Sequence, residues 1–550
     1  MRQSAPSNAD TYQFSPEERA VLPGAPFAAR HSGLRQIAYA GTALLIGVCS
    51  TFPNALVTVN VGTISGSLGL YIVEASWLPA IYVAMNATGN LTLIKARAQF
   101  GIPAVMYALL TGYAVAALLQ LAFPSFASAI VIRAINGMTA AGLVTLTIYY
   151  LIEVFPRRLL PLAPIIGIGL AQLGTPLARL VPVELLAINS WRGLCLIELA
   201  VALGILALLL AFPLPPSQRT KAFEPLDLVT IGLIVPAMLL LCGVLGVGRV
   251  AWWTDTPWLG WALTAAVPLF AVAVLIEKHR ARPLLQLGWL GSVDILRFAA
   301  VALLVRLALA EQTYGSVGLL TSGGLTNDQL HTLFVIVAVA MVLGTACAAL
   351  TFSEGRLPWQ VLIASLIIAL GAWLDSGATN VTRPPQLYLS QALIGFGTTL
   401  YVGPALTYGL LRMLSRGADV FVSFVVLFSV TQNVGGLLGS AILGTYQYMQ
   451  THAHALALSE HLFAADPNVV DRVRLGAAAI AGAVADPTQQ SAQGAGLLAR
   501  AMTQEATILA YNDVFRLVAF LALMSAVYVG YLIVANALRR RQQVAAGNSA

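Results

Sequence analysis

Fourteen long apolar stretches, joined by segments that alternate in positive charge, leave this chain few ways to fold. A helix needs roughly 20 apolar residues to cross the hydrocarbon core of a bilayer. Measured with that ruler, the stretches centre on 36–62, 73–94, 103–123, 127–151, 160–184, 193–213, 227–247, 258–277, 295–319, 330–352, 358–375, 386–411, 420–446 and 514–538. Hydrophobic residues make up 58% of the 550 and charged residues 10%. A soluble domain carries about 25% charged residues, so this chain cannot coat a water-soluble globule of its size. The expected class is an all-α polytopic membrane protein with fourteen transmembrane helices.

The charges give the direction of each crossing. Arg30 and Arg35 precede span one, and the segment 63–72 that follows has no Lys or Arg. The next segment carries Lys95 and Arg97, and the one after, 123–127, has none. The same side then receives Arg157 and Arg158, Arg219 and Lys221, and Lys278, Arg280 and Arg282. It also receives Arg356, Arg412, Arg416 and Arg539 to Arg541. The opposite side has Arg192, Arg249 and Arg383 in short loops, and Arg472, Arg474 and Arg500 in one long loop. Short cytoplasmic loops hold Lys and Arg, while long loops are largely exempt. Both termini are therefore expected in the cytoplasm, with the chain multi-pass in a bacterial inner membrane. The net charge of +7 sits at helix ends, where anionic lipid heads attract it, so no nucleic-acid partner is expected. Residues 1–35 read as a cytoplasmic tail without the apolar core of a signal peptide, and 539–550 as a second tail. Cys49, Cys195, Cys242 and Cys347 all fall inside apolar spans, where they read as small hydrophobes and not as disulfides or a metal site.

The spans group as six (36–213), two within a linker region (214–294), and six (295–538). The two sixes carry weak internal likeness. Span four has Arg133-Ala-Ile-Asn-Gly137 and span twelve Gln391-Ala-Leu-Ile-Gly395. Span five has Gln172-Leu-Gly174 before Thr175-Pro176, and span thirteen has Gln432-Asn-Val-Gly435-Gly436. Repeated halves are one way transporters build a central site at the interface. The one long outer segment, 447–513, is rich in Ala, Gln and His, with a break at Asp486-Pro487. Its Ala-rich parts can form helices, and 475–500 reads as mobile.

Several segments resemble the fourteen-spanner drug–proton antiporter family of the major facilitator superfamily. They are TISGSLG at 63–69, RAINGMTAAG at 133–142, SWRGLCLIEL at 190–199, ALIGFGTTLYVGPAL at 392–406 and QNVGGLLGSAI at 432–442. The resemblance covers nearly the whole chain through the order and spacing of these runs. It implies two six-helix bundles plus two intervening helices. It also implies export of lipophilic or amphipathic small molecules, drugs and toxic aromatics among them, with the proton motive force as the energy source and no cofactor. Contact with a periplasmic adaptor and an outer-membrane channel through 447–513 is implied as well. The departures are specific. Pro53 stands where the family has an Asp early in span one. The acidic motif after span two, whose acid helps lock the halves together, reads here Ile94-Lys-Ala-Arg97-Ala98-Gln99-Phe-Gly101-Ile102. The span-five signature is reduced to Gly174-Thr-Pro176-Leu-Ala-Arg179, and Gln432 replaces the span-thirteen Arg.

Ionisable residues inside a span are costly and mark functional candidates. At about 1.5 Å of rise per residue, Arg133, Arg179 and Glu198 share one depth near the outer ends of spans four, five and six. Glu198 is therefore expected to pair with Arg179 or Arg133, as a purely structural pair or as part of the site. In span nine, Arg306 and Glu311 are five residues apart, about 140° around a helix, so they do not share a face. Glu311 with Tyr314 reads as the cavity-facing side and a proton or substrate site; Arg306 reads as an anchor for an anionic substrate. Asn86 and Asn90, four apart and stacked, line a cavity or make interhelical bonds. Gly137, Gly174, Gly395, Gly435 and Gly439 serve close helix contact, and Pro176 and Pro404 bend spans five and twelve. No phosphate-binding loop, nucleophile elbow or zinc-protease motif occurs, and His452, His454 and His461 have weak metal spacing, so no enzyme and no metal are expected. Two other functions remain open at this stage. One is export of an endogenous organic acid or siderophore. The other is a transport-inactive membrane sensor or scaffold.

Overall fold

The computed structural model describes residues 26, 31 and 33–547, apart from 183–189, 218, 220, 281–282, 415–419, 464 and 484–485. Most of the N-terminal tail, with Arg30, and also Arg282 and Arg416, lie outside the described residues. Among those described there is helix and no strand. Helical segments occupy all fourteen expected stretches, and ten of them are long and apolar enough to cross a membrane. The other four are spans two (Trp77–Phe100), five (Leu162–Gln172 and Gly174–Arg179), nine (Val293–Leu309 and Glu311–Ser322) and twelve (Tyr388–Leu414). Two of these are broken in the middle, and the other two are rich in Asn, Thr, Gly and Tyr. The broken pair consists of segments each too short to cross alone, and the unbroken pair carries polar groups into the interior of the protein.

Several boundaries differ from the sequence reading for local reasons. Span one begins at Gly33 and runs as three helices, Gly33–Cys49, Phe52–Val59 and Val61–Leu68. Pro53 has no N–H to return to the Cys49 carbonyl, so the ladder breaks there. The run at 63–69 is thus the last of these helices and not a loop, and it ends at Gly69 with φ +64°. The expected basic loop after span two is helical as far as Phe100, and the turn into span three (Ile102–Ala122) is Gly101 alone, at φ +87°. A left-handed residue of this kind is nearly always glycine.

Among its described residues the outer segment 447–513 is mostly helix, as its Ala-rich parts suggested. Span thirteen continues unbroken from Phe421 to Ser459, a helix covers Pro467–Ile480, and a third runs from Pro487 to Gly547 through span fourteen. Alanine-rich sequence favours helix, and each start is capped. Asp466 accepts a bond from the Asn468 amide at 2.8 Å and Asp486 one from the Thr488 amide at 2.9 Å, with Pro467 and Pro487 in the first turn. The last two helices cross at Gly476 and Gly494, where a Cβ on Gly476 would lie 3.2 Å from the Gly494 Cα.

Packing sorts the spans into two related groups. In the first, span two lies on four, one on four (Phe126–Val154), three on six (Ser190–Ala211), three on four, and four on five. In the second, ten (His331–Leu350) lies on twelve, eleven (Leu357–Asp375) on both fourteen and twelve, and nine and thirteen pack on each other and on fourteen. Exchanging one for nine, two for ten and so on maps the two–four, three–six and three–four pairs onto ten–twelve, eleven–fourteen and eleven–twelve. The groups meet where five touches ten and twelve, and where two touches thirteen. Spans seven (Pro225–Ala251) and eight (Pro257–Lys278) pack on each other, and seven also lies along two and thirteen. The added hairpin therefore covers one of the two seams between the groups.

Candidate functional site

Between the groups lies a cavity of about 430 Å³. Spans two, four, five, twelve and thirteen form its wall. It reaches the surface at the basic end, where Arg157 is exposed, and ends at mid-depth. Val144 and Ile148 on span four, Leu406 and Leu410 on twelve, and Phe424 and Phe428 on thirteen make its sides. Asn86 and Asn90 of span two and Gln432 and Asn433 of thirteen form its polar ceiling. The Asn433 side-chain amide donates to the Asn86 side-chain oxygen at 3.0 Å, and Ser429 donates to the Asn86 carbonyl at 3.3 Å, so this ceiling also joins the two groups. The Asn90 side-chain oxygen and the Gln432 side-chain nitrogen are buried and have no partner. A buried amide end without a partner is costly, and here one acceptor and one donor stand ready for a ligand at the end of an apolar pocket. Arg97 and Arg157 line the mouth, and no Asp or Glu lines the described wall.

Toward the far end the groups are closed. Arg179 donates to the Asn327 side-chain oxygen at 3.3 Å, Asn327 donates back to the Arg179 carbonyl at 2.8 Å, and the guanidinium lies 5.4 Å from the Phe334 ring. Below it, Leu173 packs with Val337 and Met341 in an apolar cluster that spans one, five and ten share. Gly174 makes room for span one, since a Cβ there would collide with Thr51 and Phe52, and Pro176 sits beside it in the same short helix.

The three outer charges divide. Glu198 pairs with Arg133, and both side chains are almost completely buried between spans four and six. Arg179 takes no part in this pair and serves the far-end closure instead. One turn beyond Arg133, Gly137 lets spans two and four touch, because a Cβ there would lie 2.5 Å from the Tyr82 carbonyl oxygen. Gly395, Gly435 and Gly439 serve the same purpose against Val337, Leu303 and Leu307. Pro404 lies within an unbroken helix, in the stretch of span twelve that faces the cavity.

Neither candidate of span nine lines the cavity. Arg306 lies across span thirteen, its Nε donating to the Gln432 carbonyl at 2.8 Å, in space left by Gly435 and Gly436. Glu311 turns away from the cavity into the second group. It starts the second half of span nine, is fully buried, and its Oε1 accepts from the Gln391 amide at 3.1 Å. The same Gln391 nitrogen donates to Asp375 at 2.7 Å. Tyr314 faces span seven and the outer end of thirteen, bonded to Gln447 at 3.2 Å and to Arg249 at 3.5 Å. The expected cavity face of Glu311 and Tyr314 is thus corrected: the break at Ala310 redirects this half of the helix.

Two sets of residues were not found from the sequence. Asp375 is the last residue of span eleven, where the sequence reading passed over it, and its partner Gln391 entered only as part of the internal repeat. The second set lies at the basic end. Lys95 of span two pairs with Asp227 of span seven; Arg280 bonds Glu224, Asp227 and Glu277, each at 2.9 Å. Burial alone would lower the Arg280 pKa, yet its hydrogen bonds to Glu224, Glu277 and Asp227 raise it above the ordinary value. The Gln286 amide then donates to Ser423 of span thirteen at 2.8 Å. These contacts tie Lys95 of the first group to the added hairpin, and the segment after the hairpin to span thirteen.

No family model matches the chain. A puromycin resistance protein of Streptomyces alboniger is 25% identical over 435 residues, 74% of this chain and 80% of that protein. A solved structure concerned with substrate recognition in proton dependent oligopeptide transporters aligns with a TM-score of 0.54 at 15% identity, over 91% of this chain and 99% of the other. The proton:xylose symporter XylE, of the major facilitator superfamily, aligns with a TM-score of 0.51 at 14% identity, over 89% and 95%. The human organic anion transporter MFSD10 aligns with a TM-score of 0.50 at 14% identity, over 90% and 100%. The chain has the major facilitator fold.

Proposed function

We propose that this chain, built on the major facilitator fold, exports amphipathic small molecules by alternating access, driven by proton influx. The observation that carries this reading is the cavity. It is apolar along its sides, polar at its ceiling, and reaches the surface at the basic end. Ligand sites of this kind combine a mostly hydrophobic wall with a few placed polar groups. In this reading all fourteen helical segments cross a bacterial inner membrane, with both termini and the cavity mouth in the cytoplasm. The likeness to a puromycin resistance protein supports efflux of a drug-like molecule. The outer helices between 447 and 513 are the surface that a periplasmic adaptor and outer-membrane channel would meet.

A second reading, export of an organic acid, is favoured by the mouth of the cavity. It carries Arg97 and Arg157 and no carboxylate among the described wall residues, so the field there attracts anions. The third, a transport-inactive scaffold, has no use for a cavity with unpartnered amide ends.

Binding to the purified protein tests and separates these readings. Intrinsic tryptophan fluorescence is titrated with puromycin, with a neutral aromatic amphipath, and with an aromatic carboxylate of similar size. Drug export predicts saturable binding of the neutral compound and puromycin, and organic-acid export predicts preference for the carboxylate by about tenfold or more, 1.4 kcal/mol. Saturable binding of none of them would leave only the scaffold.

A further inference from the structure

We infer that Glu311 and Asp375, bridged by the side-chain amide of Gln391, form one proton-binding site inside the second helix group, and that its proton is the one exchanged for substrate. The second clause rests on the export reading; the first does not.

The geometry is specific. Glu311 comes from span nine, Asp375 from the end of span eleven and Gln391 from span twelve. Their exposures are 0%, 2% and 1%. One amide nitrogen carries two hydrogens, and here it reaches both carboxyl groups, Glu311 Oε1 at 3.1 Å and Asp375 Oδ2 at 2.7 Å. The remaining Glu311 oxygen, Oε2, is buried with no partner. Among the described residues no Lys, Arg or His forms an ion pair with either acid.

The charged and titratable groups on the neighbouring elements all have other partners or lie on other faces. Arg306, five residues earlier on span nine, is bonded to Gln432 of thirteen. Arg249 of span seven is directed at Tyr314. Tyr511 of span fourteen packs on Gly318, and His454 of thirteen pairs with Asp513 of fourteen. At the start of span ten, His331 faces Asp328.

Two carboxylates bridged by one amide, with the neutral Ser316 and Ser390 as their further partners, cannot both carry charge in a buried site without a cation; desolvation and mutual repulsion oppose it. Gln391 neutralises nothing, because an amide has no net charge. The site therefore holds a proton, shared as a coupled pair whose titration belongs to both acids and not to either one. A proton is gained by one carboxylate oxygen and later leaves from it, so the charge of the pair alternates by one unit in a cycle. Asp375, itself buried, places the pair near the far end. It ends span eleven, and Gly377, Thr379 and Asn380, just beyond it, are exposed at the far end. Protons therefore enter from the side opposite the cavity mouth, the direction an exporter needs. Span nine breaks one residue before Glu311, and span twelve, which carries Gln391, also walls the cavity. A change of charge at the pair thus acts on an element that touches the substrate space.

The test has two parts. The first needs no substrate: infrared difference spectra of the purified protein are recorded between acid and alkaline pH. The wild type is expected to show a protonated carboxyl band at neutral pH that titrates away. Glu311→Gln and Asp375→Asn should each alter it, and Glu311→Gln with Asp375→Asn together should abolish it. An unchanged band in the double variant overturns the proton site. The second part uses liposomes loaded with a fluorescent amphipath. Each single variant is expected to keep substrate exchange at equal pH. Each should lose pH-gradient-driven accumulation by about tenfold or more, within the usual range for coupled sites. Full gradient-driven accumulation in both singles overturns the coupling. Absence of exchange in the wild type would count against the export reading and the coupling clause, while the spectra still decide whether the site holds a proton. Because that wild-type titration needs no mutant, a variant that fails to fold does not remove the test.

Discussion

Truncation of Arg133 to alanine is expected to cost about 3–5 kcal/mol of stability, the range for removing one member of a buried ion pair. Arg133 is 0% exposed and Glu198 2%, so neither can turn to water when its partner is lost. An exposed pair would contribute only about 0–1 kcal/mol, and that contrast makes the measurement decisive. Glu198→Ala should do comparable damage by stranding the guanidinium, which already has Nε and Nη1 without partners. The double change Arg133→Met with Glu198→Leu should recover most of the loss, since apolar residues of similar volume replace buried pairs with little penalty. Thermal unfolding and limited proteolysis of the purified variants read this out. Wild-type unfolding in either alanine variant would show that the pair does not hold spans four and six together.

Filling the cavity should have the largest effect on ligand binding with the least effect on folding. Thr145 of span four lines the cavity, and its hydroxyl bonds only the Ala141 carbonyl of its own helix, at 3.2 Å. Thr145→Trp therefore places an indole in open space without removing a contact between helices. The cavity holds about 430 Å³, at the lower end of the 300–1,000 Å³ usual for ligand pockets, so the indole takes a large share of it. Binding of the preferred amphipath should weaken by about tenfold or more, 1.4 kcal/mol, while thermal unfolding stays near wild type. Unchanged affinity would place the binding site elsewhere.

The fold was legible because hydropathy and charge act over whole segments. Fourteen apolar runs needed only composition and the length of a helix, and the added hairpin was visible as two spans between two polar links. Pairing of Glu198 was legible too, because an acid and an Arg at one depth in neighbouring spans have few other partners. What could not be read was the direction in which a broken helix points. The 140° offset between Arg306 and Glu311 assumes a continuous helix, and the break at Ala310 removes that assumption. Asp375 was passed over at the edge of an apolar run; only the fold brings Gln391 across to it. The cluster of Lys95, Asp227 and Arg280 was missed for a related reason. The resemblance directed attention to an acid after span two, while the chain places a base there and puts the acids on the added hairpin. The helices in 447–513 were legible from their alanine content, since alanine favours helix wherever capping is supplied.

Inside-out membrane vesicles carrying the wild-type protein give the most direct test of proton-driven export through this cavity. An acid interior is imposed and accumulation of a fluorescent amphipath is followed. Accumulation is expected to require the gradient, to collapse when a protonophore dissipates it, and to fall about tenfold or more with Thr145→Trp. Equal accumulation in vesicles with and without the protein, or accumulation indifferent to both the gradient and the filled cavity, would contradict the account.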